Sequence, residues 1–222
     1  MTLIKAVIVD IDDTLCLTEA VCFGLENEVL ERMRCKPMSR DVHVSTWGRP
    51  LFEAMPERSP GVNIERFKAL YSVVLSEYNR LGKYDTIPQQ NYQALDELIR
   101  QGKTIMLLTS RTHGELSHLM NSDHLLVTRI KAFYYRDNMQ FHKPDPRAFD
   151  EVLRDNDLQP NQCVYIGDST SDAVAAKKAG LHFIASLESG LREKRDFNDL
   201  SVDYFISGFP ELISAIAFIE AN

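Results

Sequence analysis

Short apolar runs that alternate with helical patterns constrain this chain more than any other feature. Ala6 to Ile11, Lys103 to Thr109, Ala132 to Tyr135, Cys163 to Ile166, Leu181 to Ala185 and Asp203 to Ile206 are each too short to be an amphipathic helix. Such runs read as strands buried on both faces. Between them lie helical signals. Tyr92, Leu95, Leu98 and Ile99 form a stripe that Gly102 stops, and Ala148, Phe149, Val152 and Leu153 form another begun by Pro146. Ser169-x-x-Asp172 is a capping-box pattern opening a helix that Gly180 ends, and Glu211 to Ile219 is the last helical run. Strand and helix in strict alternation predict an α/β fold with a parallel sheet.

One stretch breaks the rhythm. From about Leu17 to Lys83 no buried strand is visible. Thr18 is placed to cap a helix reaching Met33, stopped before Pro37. Ile64, Phe67, Tyr71, Val74, Leu75 and Tyr78 mark a second long amphipathic helix closed by Gly82. Gly48-Arg49-Pro50 and Pro56 to Gly61 punctuate shorter helices or turns between the two. The organisation expected is a sheet domain of residues 1–16 and 84–222 interrupted by a helical insert of residues 17–83, which 222 residues accommodate.

Charge and cysteines narrow the setting. Lys and Arg number 25 and Asp and Glu 32, a net −7, which argues against general affinity for nucleic acid or an anionic membrane. Cys16, Cys22, Cys35 and Cys163 include no C-x-x-C pair and read as free thiols of a reducing cytoplasm. Lys5 and Asp10 interrupt any signal-peptide core, and no run approaches eighteen apolar residues.

The acids at strand ends carry the chemistry. Asp10 and Asp12 are two apart where the first strand emerges, so an extended backbone turns both to one face. Like charges so close are costly unless a proton or cation shares them. Taken alone they are equally the solvated, turn-forming end of a strand. Asp168 follows another buried run, and parallel strands put such ends on one edge, where open α/β sheets bind ligands. An oxygen-rich site of this kind suits Mg²⁺. Asp172, four residues on, is divided between the capping box and the metal. Thr109-Ser110-Arg111 ends a strand with a hydroxyl and free N–H groups, an anion site that is also ordinary cap chemistry. Lys143 precedes Pro144 and so has an extended backbone. Three carboxylates, a divalent cation and one lysine sum to zero, which lets a phosphate dianion enter.

These pieces, in this order, resemble the haloacid dehalogenase superfamily. Its D-x-D-x-T motif reads Asp10-Ile11-Asp12-Asp13-Thr14, and its strand ending in Thr or Ser reads Leu107-Leu108-Thr109-Ser110. Its lysine motif reads Lys143-Pro144, and its G-D-x-x-x-D reads Gly167-Asp168-Ser169-Thr170-Ser171-Asp172. Asp13 departs from the glycine many members have there. The resemblance implies a Rossmann-like core with an inserted α-helical cap domain. It also implies a phosphatase, phosphoglycolate-phosphatase-like, acting on a small phosphorylated metabolite with Mg²⁺, as a monomer or homodimer. Asp10 would be the nucleophile and Asp12 the acid and base. Asp10, the Asp12 carbonyl, Asp168 and Asp172 would hold the metal, and Thr109, Ser110 and Lys143 the phosphoryl group. Arg49, where family caps often face substrate, would bind a second anionic group. Arg111 and His142 flank the site and read as structural.

Within the superfamily, Asp12 separates phosphate chemistry from dehalogenation, whose halide leaving group needs no proton. A sugar-phosphate mutase of the β-phosphoglucomutase type and an inorganic pyrophosphatase share the same core. A receiver-like or non-catalytic phosphate-binding module is the alternative from another class. A receiver's accepting aspartate follows a later strand, and here the strand ending at Tyr135 is followed by Arg136.

Overall fold

The computed structural model describes residues 3–49 and 51–222, so Pro50 of the expected Gly48-Arg49-Pro50 turn lies outside the described residues. The chain divides into two units, one of residues 1–16 and 87–222, the other of residues 17–86. The second junction falls three residues beyond the expected one, because Tyr84 packs with the apolar core of the helical unit. Among the described residues no helix is long and apolar enough to cross a membrane.

The chain enters through β1 (Ala6–Val9) and passes directly into the helical unit, made of α1 (Thr18–Arg32), α2 (Arg40–Ser45), α3 (Leu51–Arg58) and α4 (Ile64–Arg80). Leu17, not Thr18, holds the N-cap position of α1, and no side chain caps it. Ser39 and Asn63 cap α2 and α4 through their side-chain oxygens. Leu25, Val29, Leu30, Met55, Phe67 and Val74 form the core of this unit. Beside that core runs a buried polar chain. Arg58 grips the Glu26 carboxylate at 2.7 and 2.9 Å and the Thr46 hydroxyl at 2.8 Å, and the His43 ring lies 2.5 Å from Glu19.

The other unit resumes with α5 (Gln89–Arg100), β2 (Thr104–Leu108), the short α6 (His113–Leu116), β3 (Ala132–Tyr134), α7 (Asp150–Asp155), β4 (Cys163–Gly167), α8 (Thr170–Lys178), β5 (His182–Ser186), β6 (Tyr204–Ile206) and α9 (Leu212–Ala221). All six strands are parallel, in the order β3-β2-β1-β4-β5-β6. The two-residue alternation of strands sorts their side chains. Val7, Val9, Leu107, Val164 and Ile166 meet Leu95 and Leu98 of α5 and Ile216 of α9 on one face. Ala6, Ile8, Leu108, Cys163 and Tyr165 meet Val152 of α7 and Ala173 and Ala176 of α8 on the other. Covered on both faces, the sheet has no polar strand, which is why its runs are continuously apolar in sequence. The order reverses at β1 and β4, and the crevice beyond their C-terminal ends is where such sheets bind ligands.

Candidate active site

β1 stops at Val9, two residues short of the extended run read from sequence, and the chain turns through residues 11–15. Asp10 and Asp12 therefore do not share a strand face. Asp10 is buried, with Lys143 Nζ 3.2 Å from its Oδ2. Asp12 is about one-third exposed, and its carboxylate lies in the guanidinium fork of Arg111. The turn is made possible by Asp13, whose φ of 54° is left-handed. Glycine occupies that region freely, and Asp is among the few other residues that tolerate it. The glycine common in the resembling family at this position thus has a backbone reason.

The end of β4 supplies the facing wall. Asp172, in the first turn of α8, is fully buried and uses its two oxygens for two jobs. Oδ2 accepts from the Ser169 N–H at 3.0 Å and the Ser169 hydroxyl at 2.7 Å, completing the capping box. Oδ1 lies 2.6 Å from Lys143 Nζ and 3.3 Å from the Tyr165 hydroxyl. The capping-box reading of Asp172 holds, and its second oxygen faces Lys143 and Tyr165. Gly167 makes room for it: a Cβ there would stand 2.5 Å from Asp172 Oδ2.

Lys143 bridges Asp10 and Asp172 and also donates to the Tyr165 hydroxyl at 2.8 Å. Tyr165 is a neighbour of this cluster that the motifs do not mark. The available signal was a polar-tipped aromatic in a buried strand three residues before Asp168, since a buried phenol needs a partner. On β2's exit, Thr109 is fully buried, and its Oγ1 accepts from the Arg111 N–H at 3.2 Å, keeping its own proton to donate. Ser110 is exposed beside it. Arg49 belongs to the helical unit, where its exposed guanidinium pairs with Glu57 at 2.7 Å.

The electrostatics state what the cluster lacks. Asp10, Asp168 and Asp172 each bring a carboxylate oxygen within 4.8 Å of the others. Burial pushes the Asp10 carboxyl up to about 7, with Lys143 pulling down and Asp172 and Asp12 pushing up. Burial, then the charges of Asp172, Asp10 and Asp13, raises Asp168 well above the usual carboxylate range. Burial opposes the charge of Lys143, but Asp10 and Asp172 outweigh it and hold the ammonium above its ordinary value. One ammonium thus faces three converging acids, two of which favour the proton. Hard oxygen donors with surplus negative charge fit a divalent cation of the magnesium or calcium kind.

Comparison with known proteins places the chain in a family. The model of the haloacid dehalogenase-like hydrolases matches residues 7–186. The chain is 28% identical over 197 residues to a phosphorylated carbohydrates phosphatase of Thermotoga maritima, covering 85% of this chain and 88% of that protein. It is 25% identical over 229 residues to a phosphoglycolate phosphatase of Nitrosospira multiformis, covering 99% and 97%. In fold it is similar to the crystal structure of CbbY from Rhodobacter sphaeroides in complex with phosphate, with a TM-score of 0.72, 19% identity, and 97% and 100% of the two chains covered.

Proposed function

Because the chain belongs to the haloacid dehalogenase-like hydrolases, we propose that it is a Mg²⁺-dependent phosphatase that hydrolyses a small phosphorylated metabolite, phosphoglycolate-phosphatase-like in its chemistry, through an aspartyl-phosphate on Asp10. The observation that carries this reading is the convergence of Asp10, Asp168 and Asp172 where the strand order reverses, with the buried Lys143 bridging Asp10 and Asp172. The Asp10, Asp168 and Asp172 side chains, with the Asp12 backbone carbonyl, would hold Mg²⁺. When bound, the ion neutralises the carboxylates and lets a phosphate dianion approach them.

An Asp10 oxygen attacks phosphorus as the bond to the ester oxygen breaks, and that oxygen takes a proton from the Asp12 carboxyl. Water then attacks the phosphorus of the acyl phosphate, Asp12 takes the proton back, and Asp10 and inorganic phosphate are released. The Thr109 hydroxyl, the Ser110 N–H and Lys143 Nζ hold the phosphoryl oxygens while charge redistributes. Tyr165 and Asp172 hold two of the three Lys143 donors, and the third, which rests on Asp10, would turn to a phosphoryl oxygen as Asp10 attacks. The helical unit serves as the cap, and Arg49, released from Glu57, binds a second anionic group of the substrate.

The test is phosphate release from a panel of alkyl phosphates, sugar phosphates and pyrophosphate with Mg²⁺. Release from one or more monoesters, lost in excess chelator and absent in Asp10→Asn, is expected. Full turnover in chelator overturns the metal assignment. Isomerisation of a sugar phosphate without release points to a mutase, and preference for pyrophosphate to a pyrophosphatase.

A further inference from the structure

Arg111 meets Asp12 in a two-point fork: Nη2 donates to Oδ1 at 2.6 Å and Nε to Oδ2 at 3.0 Å. The sheet register sets up this meeting. β1 and β2 are parallel neighbours with Val9 beside Leu107, so the loops carrying Asp12 and Arg111 leave the same edge side by side. The backbone of Arg111 is fixed at both ends. Its N–H donates to Thr109 Oγ1 at 3.2 Å, and its carbonyl accepts from Arg136 N–H at 2.8 Å. Its side chain is 7% exposed, whereas that of Asp12 is 35% exposed. A buried, anchored guanidinium therefore grips a carboxylate whose other side is open to solvent.

We propose that Arg111 is a positioning residue for the acid–base group, fixing the plane of the Asp12 carboxylate so that its outward lone pairs exchange the proton with the ester oxygen and then with water. This rests on the reading of Asp12 given above. The fork uses one lone pair of each oxygen, and a carboxylate has about four acceptor sites, so two stay available. A free Asp side chain would sample other rotations, and an ångström of misplacement at a reacting group costs on the order of a hundredfold.

The role separates from substrate binding. If Arg111 acts through Asp12, its loss slows proton transfer and leaves KM nearly unchanged. If it holds a substrate anion, KM rises and Asp12 is irrelevant.

The test uses the full chain with Mg²⁺ and compares wild type, Arg111→Met, Arg111→Lys and Asp12→Ala, the first two variants also in the Asp12→Ala background. For an alkyl phosphate, Arg111→Met should lower kcat by roughly 10–100-fold, with KM within about twofold. Arg111→Lys, which keeps the charge but not the fork, should recover part of the loss. With p-nitrophenyl phosphate the first step needs little proton help, so Arg111→Met should show a burst of nitrophenol near one per site before slow turnover. In the Asp12→Ala background, Arg111→Met should change nothing further. A KM rise that persists in Asp12→Ala, or an unchanged kcat, overturns the proposal. If Arg111→Met does not fold, as judged by its melting curve, Arg111→Lys carries the same comparisons. Wild-type turnover in Asp10→Asn would sink the proposed chemistry and this inference with it. An inactive Asp10→Asn beside fully active Arg111 variants sinks this inference alone.

Discussion

Gly167→Ala tests how tightly the acidic wall is built. The added Cβ would lie 2.5 Å from Asp172 Oδ2, 2.7 Å from its Cγ and 2.9 Å from its Cβ, whereas ordinary contact begins at 3.4 Å. Asp172 must retreat by about 0.9 Å, and it is not a loose end that can swing aside. The same Oδ2 holds the Ser169 N–H and hydroxyl, and the other oxygen holds Lys143. Overpacking a filled site costs about 1–3 kcal/mol. Losing the cap of α8 adds about 1 kcal/mol. Against this, alanine stiffens the unfolded chain by about 0.4–1 kcal/mol relative to glycine. The net is a destabilisation of about 2 kcal/mol, read from urea unfolding of the metal-free protein by circular dichroism. Turnover should fall at least tenfold, because Lys143 moves with its partner. The diagnostic comparison is with Asp172→Gly, which removes every atom in the way. There, Gly167→Ala should cost less than half as much. Equal losses in both backgrounds, or a Gly167→Ala protein as stable and active as wild type, would refute the reasoning.

Three further outcomes are expected. The Asp10 carboxyl moves from an ordinary 3.8 to about 7 in the fold, so the native state binds the extra proton. Its contribution to stability is complete below about pH 4 and lost as pH rises through 7, on the order of a few kcal/mol; Mg²⁺ should therefore raise the melting temperature much more at pH 8 than at pH 5, and an equal rise would count against the cluster as its site. Tyr165→Phe removes an acceptor from Lys143 without changing the ring, and phosphate inhibition should weaken by about threefold to tenfold in steady-state assays, in line with one lost charge-assisted bond. Arg58→Met leaves Glu26 buried without its cation, and thermal unfolding should show a loss of roughly 3–5 kcal/mol confined to the helical unit.

The sheet was legible because its strands are covered on both faces, which leaves continuous apolar runs with no ambiguity of face. All six strand positions agree with the runs read from sequence to within two residues at either end. Gly102 and Gly180 close their helices at φ of 80° and 84°, as their placement indicated. Less was legible where side chains choose between partners. Spacing alone put Asp10 and Asp12 on one face, but β1 ends at Val9, and the turn sends one carboxylate to Lys143 and the other to Arg111. Arg111 read as structural because a lone arginine after a strand carries no pattern; its meaning comes from the register of β1 against β2. Thr18 looked like a cap by residue type, yet the helix begins one residue earlier than a threonine cap would allow. Tyr165 was hidden by its strand, since its ring satisfies the apolar pattern and only its hydroxyl does not.

The position of β1 has a consequence for how the chain assembles during synthesis. Ala6 pairs with Thr104 on one side and with Cys163 on the other, so the first strand made is the one that waits longest for its second neighbour. At synthesis rates of about 5–20 residues per second, its second neighbour follows by roughly 8–30 s. Until Thr104–Leu108 is made, the four apolar residues Ala6–Val9 have no strand to pair with. The helical unit, with contacts between α1 and α4 and a core of its own, can condense meanwhile from local pairs. It then shortens the loop that β1 and β2 must close, so the segment that interrupts the sheet in sequence assists the pairing it delays.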